Sequence, residues 1–155
     1  MTIWDDTADS TKELMFTSLD YALENAQLSD QPFTPFSFAH HEDGTATLTR
    51  FAVPPDADVP ETLEAARAHL ETAHPGTTAI TLAYDGYTTY EGERTEAVFV
   101  ETHQLDLPRT LILAQRYLRD TGELQPLGDP MLQAETDPLV LRVAEDEDAG
   151  QGEVE

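Results

Sequence analysis

Cysteine is absent and lysine nearly so: Lys12 is the single lysine in 155 residues. With no cysteine there can be no disulfide, no thiolate nucleophile and no zinc–thiolate site. Basic residues are scarce in general, 8 Lys+Arg against 31 Asp+Glu, for a formal net charge of −23. Autonomous binding to DNA, RNA or an anionic membrane needs a basic face that displaces counterions, so this composition argues against direct nucleic-acid or membrane partners. Long hydrophobic runs are missing too, and nothing approaches the ~20 apolar residues that span a bilayer. The N-terminal stretch Met1-Thr2-Ile3-Trp4-Asp5-Asp6 has neither the basic nor the apolar segment of a secretory signal, and the expectation is a soluble, cytoplasmic protein.

Signature motifs are also absent. The chain has no Gly-x-Gly-x-x-Gly, no phosphate loop ending Gly-Lys-Ser/Thr, no Gly-x-Ser-x-Gly and no His-Glu-x-x-His, so no motif calls for a cofactor or a metal. Carboxylate pairs carry no information where acids are this abundant. Asp56-Ala57-Asp58 and Glu42-Asp43-Gly44 lack the ligand count of a calcium loop.

What is present is acid, evenly spread. Residues 1–77 hold 14 acids and 3 bases, and residues 78–155 hold 17 acids and 5 bases, net −11 and −12. A face built against one basic partner should be lumpier. A surface kept solvated in high salt should be acidic all round, and salt should screen its self-repulsion. Arginine retained while lysine is lost also fits a GC-rich genome.

The apolar pattern predicts one α+β domain over residues 1–143 and a disordered acidic tail over residues 144–155. Ser10-Thr11-Lys12-Glu13 matches a capping box, and Met15, Leu19, Ala22 and Ala26 recur at helical spacing, giving a helix over about residues 10–27. Phe36, Phe38 and His40 alternate as a strand, and a second strand follows Asp43-Gly44. A two-residue turn pairs Phe38 with Thr49. A three-residue Glu42-Asp43-Gly44 loop pairs Phe38 with Leu48, keeps Phe36, Phe38, Ala46 and Leu48 on one face, and is preferred.

A second helix opens at Asp58-Val59-Pro60-Glu61 with Asp58 as its cap, carries Leu63, Ala66, Leu70 and Ala73 as its apolar stripe, and stops at Pro75-Gly76. Three strands follow: one through Ile80, Leu82 and Tyr84, with Gly86 read as a bulge, one through residues 97–100, and one through residues 111–118. Extended coil is expected over residues 120–138, with a short strand at residues 139–143. The order α-β-β-α-β-β-β predicts an antiparallel sheet with the helices on one face.

Candidate functional residues come from the scarce types. His40 and His41 are adjacent and face opposite ways on a strand, and His69 and His74 lie five apart on a helix, so neither pair chelates readily. A three-histidine site of His40, His74 and His103 is conceivable only through folding. The segment between residues 84 and 117 is richer. Tyr84, Tyr87, Arg94, Gln115, Arg116 and Tyr117 sit on predicted strands and would make a shallow polar surface of the residue types enriched at interface hot spots. Their ordinary alternative is cross-strand pairing of Arg94 and Arg116 with Asp85, Glu96 or Glu101.

The block Tyr84-Asp85-Gly86-Tyr87, Glu93-Arg94-Thr95-Glu96-Ala97 and Ala114-Gln115-Arg116-Tyr117 resembles a pattern that recurs in uncharacterised small bacterial proteins. The resemblance implies that the strand–turn–strand–strand unit is a family hallmark. It brings no activity, cofactor or catalytic residue.

Three functions remain. The first is a non-enzymatic protein-interaction domain with a salt-adapted surface, binding a protein partner or a second copy of itself as a homodimer. The second is an acidic inhibitor, chaperone or nucleic-acid mimic for a basic partner. The third is a small enzyme using His40, His41 or His103 with Arg94 or Arg116, which requires a pocket that brings at least two of these together.

Overall fold

The structure is a computed structural model and describes residues 3–28, 33–51, 59–120 and 123–144. Two helices, α1 (Ile3–Asp6) and α2 (Asp9–Gln27), precede the hairpin of β1 (Phe36–His41) and β2 (Ala46–Arg50). Next come α3 (Val59–Leu70), a two-residue β3 (Thr72–Ala73), and a long meander of β4 (Thr77–Tyr90), β5 (Glu93–Gln104) and β6 (Thr110–Asp120). Three short strands close the order: β7 (Glu123–Pro126), β8 (Met131–Thr136) and β9 (Arg142–Val143). The main sheet is antiparallel in the order β2-β1-β4-β5-β6-β7, with β8 also on β6, while β3 and β9 pair in parallel apart from it.

The hairpin adopts the three-residue loop. Phe38 pairs with Leu48, the His41 amide donates to the Thr45 carbonyl, and Gly44 takes a φ of 89°, open to glycine without a Cβ clash. Asp43 completes the turn by accepting from both the Thr45 amide and the Thr45 hydroxyl, which holds its carboxyl below the ordinary value.

The helices do not share a face. Alternation along β4 sends Thr81 and Ala83 one way and Ile80, Leu82 and Tyr84 the other. Helix α2 packs on the first set: Met15, Leu19 and Ala22 join Phe36, Ala83, Val98 and Val100 in one core, and Ser18 meets Thr81 at 3.0 Å. Helix α3 packs on the second set, with Ala66 and Leu70 against Ile80 and Leu82. Both faces of β4 are apolar, so the sheet needs a cover on each side. The sheet also curls, and the Gln133 amide on β8 reaches the Thr88 hydroxyl on β4 across two intervening strands.

Four local expectations are corrected. Ala8, not Ser10, is the N-cap of α2. It has no side-chain cap, and its own amide is held by Gln104 Oε1 at 2.8 Å, so the capping box does not form. Helix α3 ends at Leu70, well before Pro75, and Ala73 packs from β3 instead. Gly86 is not a bulge: its pairing with Ala97 lies in an unbroken register, and a Cβ there would come within 3.1 Å of the Phe99 ring. The coil expected over residues 120–138 gives way, among the described residues, to β7 and β8, which lie end to end along the outer edge of β6. The short strand near residues 139–143 is present as β9. The proposed Asp58 cap and residues 145–155 of the acidic tail lie outside the described residues.

Candidate functional site

The six Tyr, Arg and Gln candidates do not form one surface, because strand alternation divides them. Tyr87, Arg94, Gln115 and Tyr117 lie on the α2 side, Tyr84 and Arg116 on the α3 side. Tyr117 is buried in the α2 core and donates to Asp85 Oδ1 at 2.7 Å. Gln115, also buried, clasps the β7–β8 connection: its amide donates to the carbonyls of Leu127 and Gly128 at 3.3 and 3.1 Å. The arginines rest on tyrosines rather than on the acids weighed for them. Arg94 lies 4.0 Å from the centroid of Tyr87, and Arg116 lies 3.8 Å from that of Tyr90, a partner that sequence reasoning missed.

Tyr84 leads to a tightly bonded ion pair between α3 and the sheet. Its ring stacks on Phe99 with centroids 5.4 Å apart, and its hydroxyl donates to Glu101 Oε2 at 2.5 Å. Arg67 reaches down from α3 and grips both oxygens of Glu101 at 2.6 Å. Glu101 is 2% exposed, so both neighbours respond to its buried charge. The bond to Glu101 raises Arg67 above its ordinary value, and burial, then the Glu101 charge, raises the Tyr84 phenol. Helix α3 is thereby fastened to the sheet by a two-pronged ion pair. Arg67 and Tyr84 together engage both oxygens of Glu101, so the triad works as a clamp between helix and sheet.

The histidines separate in the same way. His40 and its neighbour His41 face opposite sides, and His41 Nε2 bonds the Thr47 hydroxyl at 2.9 Å. His103, buried on the α3 side, donates from Nε2 to the Leu107 carbonyl and accepts the Val140 amide at Nδ1. Both ring nitrogens serve the backbone, and burial pushes the imidazole below its ordinary value, which fixes it neutral. His40 and His41 both line an open cavity of about 520 Å³ with Ser10, Thr11, Glu42, Gln104 and Asp106, but His103, Arg94 and Arg116 are not part of its lining. The three-histidine site therefore does not assemble. Nor do His103 and Arg94 meet: they stand nine positions apart on β5, about 30 Å of extended chain.

No family model, curated protein or solved structure matches this chain. Function has to be read from the geometry.

Strand β2 is the outermost strand of the sheet, and apart from half-buried Thr49 all its residues are exposed. The His41–Thr45 and Pro35–Phe51 backbone bonds set its phase: odd-numbered residues of β2 bond to β1, so Ala46, Leu48 and Arg50 direct their N–H and C=O groups outward. Among the described residues no strand pairs with that outer edge. One residue in five of this chain is acidic, yet residues 44–51 contain no acid. The opposite rim of the sheet is guarded in the usual manner, with Glu123 and Pro126 on β7 and Glu135 on β8.

Proposed function

We propose that this is a protein-interaction domain that works through the open β2 edge, carried on a salt-adapted acidic surface. The observation that carries the reading is the contrast between β2 and the rest of the exterior. Natural edge strands are protected by charge, proline or cover, and an edge left uncovered among the described residues of so acidic a protein is a template for an added strand. Three groups able to do acid–base work support the same reading, since Glu101, Tyr84 and His103 are each engaged in holding the fold.

The acids support salt adaptation. Where burial is described, Asp85 and Glu101 are buried and Glu71 and Glu96 half-buried, and the other carboxylates are exposed on the helices, the hairpin tips and the β7–β8 rim. Such a coat suits a salt-rich cytoplasm, the compartment we assign. A melting temperature that climbs steeply from dilute buffer to molar KCl is expected. A flat profile would remove the salt-adaptation half of the proposal.

The interaction half is tested by placing a photo-reactive phenylalanine analogue at Leu48 and irradiating in host extract at native salt. Discrete protein adducts are expected from Leu48 and not from exposed Gln125 on β7. No adduct at Leu48 sinks the reading.

A second reading keeps the basic partner. Between α2 and β7 runs a groove of about 620 Å³ with Leu23, Leu124 and Pro126 in it and Asp20 and Glu24 among its lining. Charge complementarity suits it to an amphipathic basic segment, the target of an acidic inhibitor or chaperone. Adducts from the same analogue at exposed Leu28, which lines the groove, with none at Leu48, would favour this reading over the first.

A further inference from the structure

We infer that the partner at the β2 edge is a second copy of this chain, added antiparallel about a twofold axis through Leu48. The inference rests on the reading of β2 as an interaction edge and names what occupies it.

Register is the first argument. Two antiparallel strands exchange both backbone bonds only where outward-facing residues stand opposite each other. A twofold at Leu48 sets Leu48 against Leu48 and Ala46 against Arg50 of the second copy. All three outward residues of each copy then find partners, and the two sheets continue as one. The strand is self-complementary in side chains as well, with threonines at 45, 47 and 49 alternating with Ala46 and Leu48. Leu48, 40% exposed beside half-buried Phe38, would meet its own image on the same face.

Charge is the second argument. Two molecules at −23 repel wherever their carboxylates approach, so self-association needs an acid-free patch. Residues 44–51 supply one. The flank of α2 above them extends it with uncharged Tyr21 and Asn25, which hold Arg50: its guanidinium lies over the Tyr21 ring, bonds the Tyr21 hydroxyl, and donates to Asn25 Oδ1 at 3.4 Å. Arg50 is thus folded back over its own helix instead of crossing the edge. Asp20 and Glu24 line the other flank of α2, toward β7.

The test uses the purified full chain. Light scattering from about 0.1 to about 2 M KCl should show the mass rising toward twice 17.2 kDa as salt screens the repulsion. Leu48→Pro removes an outward amide and no bond to β1, a position where edge strands accept proline. It should weaken the dimer about a hundredfold while circular dichroism stays unchanged. Register is read by cysteine, cleanly because the chain has none. Leu48→Cys should oxidise to a covalent dimer, because paired Cα atoms about 5.5 Å apart suit a disulfide. Thr47→Cys should not, because it would face Thr49.

A monomer at every salt and at concentrations up to millimolar overturns the inference, as does a dimer indifferent to Leu48→Pro. If Leu48→Pro does not fold, the contrast between the two cysteine variants decides alone. A monomer that still gives Leu48 adducts with another protein refutes the twofold dimer and leaves the interaction reading standing.

Discussion

On the α2 side of the sheet, Met15, Leu19, Phe36, Val98 and Val100 fill the space between helix and strands. On the α3 side stand buried Glu101 with half-buried Arg67 and Tyr84, and a neutral His103 tied to two backbone groups. The first side is held mainly by shape and apolar area, the second by a smaller apolar cluster around Leu70, Ile80 and Leu82 together with directed bonds among polar groups that would be costly if left alone. The two should fail differently. Apolar packing tolerates volume-conserving change and resents cavities. A buried ion pair tolerates joint removal and resents the loss of one partner.

The largest expected effects break each side once. Phe36→Ala should cost about 3–5 kcal/mol by denaturant unfolding, in line with large-to-small core changes. Arg67→Met should cost about 3 kcal/mol, at the low end for a broken buried pair because the outer part of Arg67 meets water. The comparison sharpens with the double variant Arg67→Met, Glu101→Leu, which should return to within about 1–2 kcal/mol of the parent. If the double variant is no better than the single, the α3 side depends on the ion pair itself and not on the avoidance of a lone buried charge.

Next in size is Tyr117→Phe, expected to cost about 1–3 kcal/mol because Asp85 loses a donor within the apolar core. Gly86→Ala should cost about 1 kcal/mol or more, since its Cβ would press on the Phe99 ring that Tyr84 holds by stacking.

The smallest effects are in pH, and both belong to the α3 side. Burial holds His103 below its ordinary value, so below about pH 6.5 the unfolded chain takes up a proton that the native protein refuses. Its contribution is complete above that pH and shrinks on acidification. The melting-temperature gap between the parent and His103→Gln should narrow from pH 7 to pH 5. Tyr84 runs the other way. Its phenol is held above the ordinary value, so above about pH 10 the unfolded chain releases a proton that the native protein keeps, and stability falls as pH rises. Tyr84→Phe should flatten that alkaline decline.

Local grammar made the hairpin legible from sequence. Asp43-Gly44 and the alternation around it select one loop, and Phe38 does pair with Leu48. The apolar stripes of α2 and α3 were legible too, but a stripe says that a helix is covered, not which side of a sheet covers it. Strands β7 and β8 were hidden because their residues are mostly exposed and lack apolar alternation, while Gly128-Asp129-Pro130 announces only a turn. The Tyr, Arg and Gln candidates were placed on strands correctly, and period-two alternation then divided Gln115, Arg116 and Tyr117 between faces. Arg67 was missed because its partner lies 34 residues away. A signal existed at the other end: Glu101 follows Ala97-Val98-Phe99-Val100, and an acid inside such a run demands a cation from elsewhere. The open edge was invisible because strand order is a tertiary fact.

The pairing of β1 with β4 has a consequence for the time course of folding. The meander of β4, β5 and β6 grows by short steps, the first across Glu91-Gly92, whereas Phe36 must find Ala83, 47 residues along the chain. Closing that long loop is rewarded only once the meander exists to receive it. Strands β1 and β2 should therefore be the last to arrive and the first to leave. Destabilising changes in the hairpin should then act chiefly on the unfolding rate, and those in the meander on the folding rate. The edge proposed for partner contact would belong to the part of the sheet completed last.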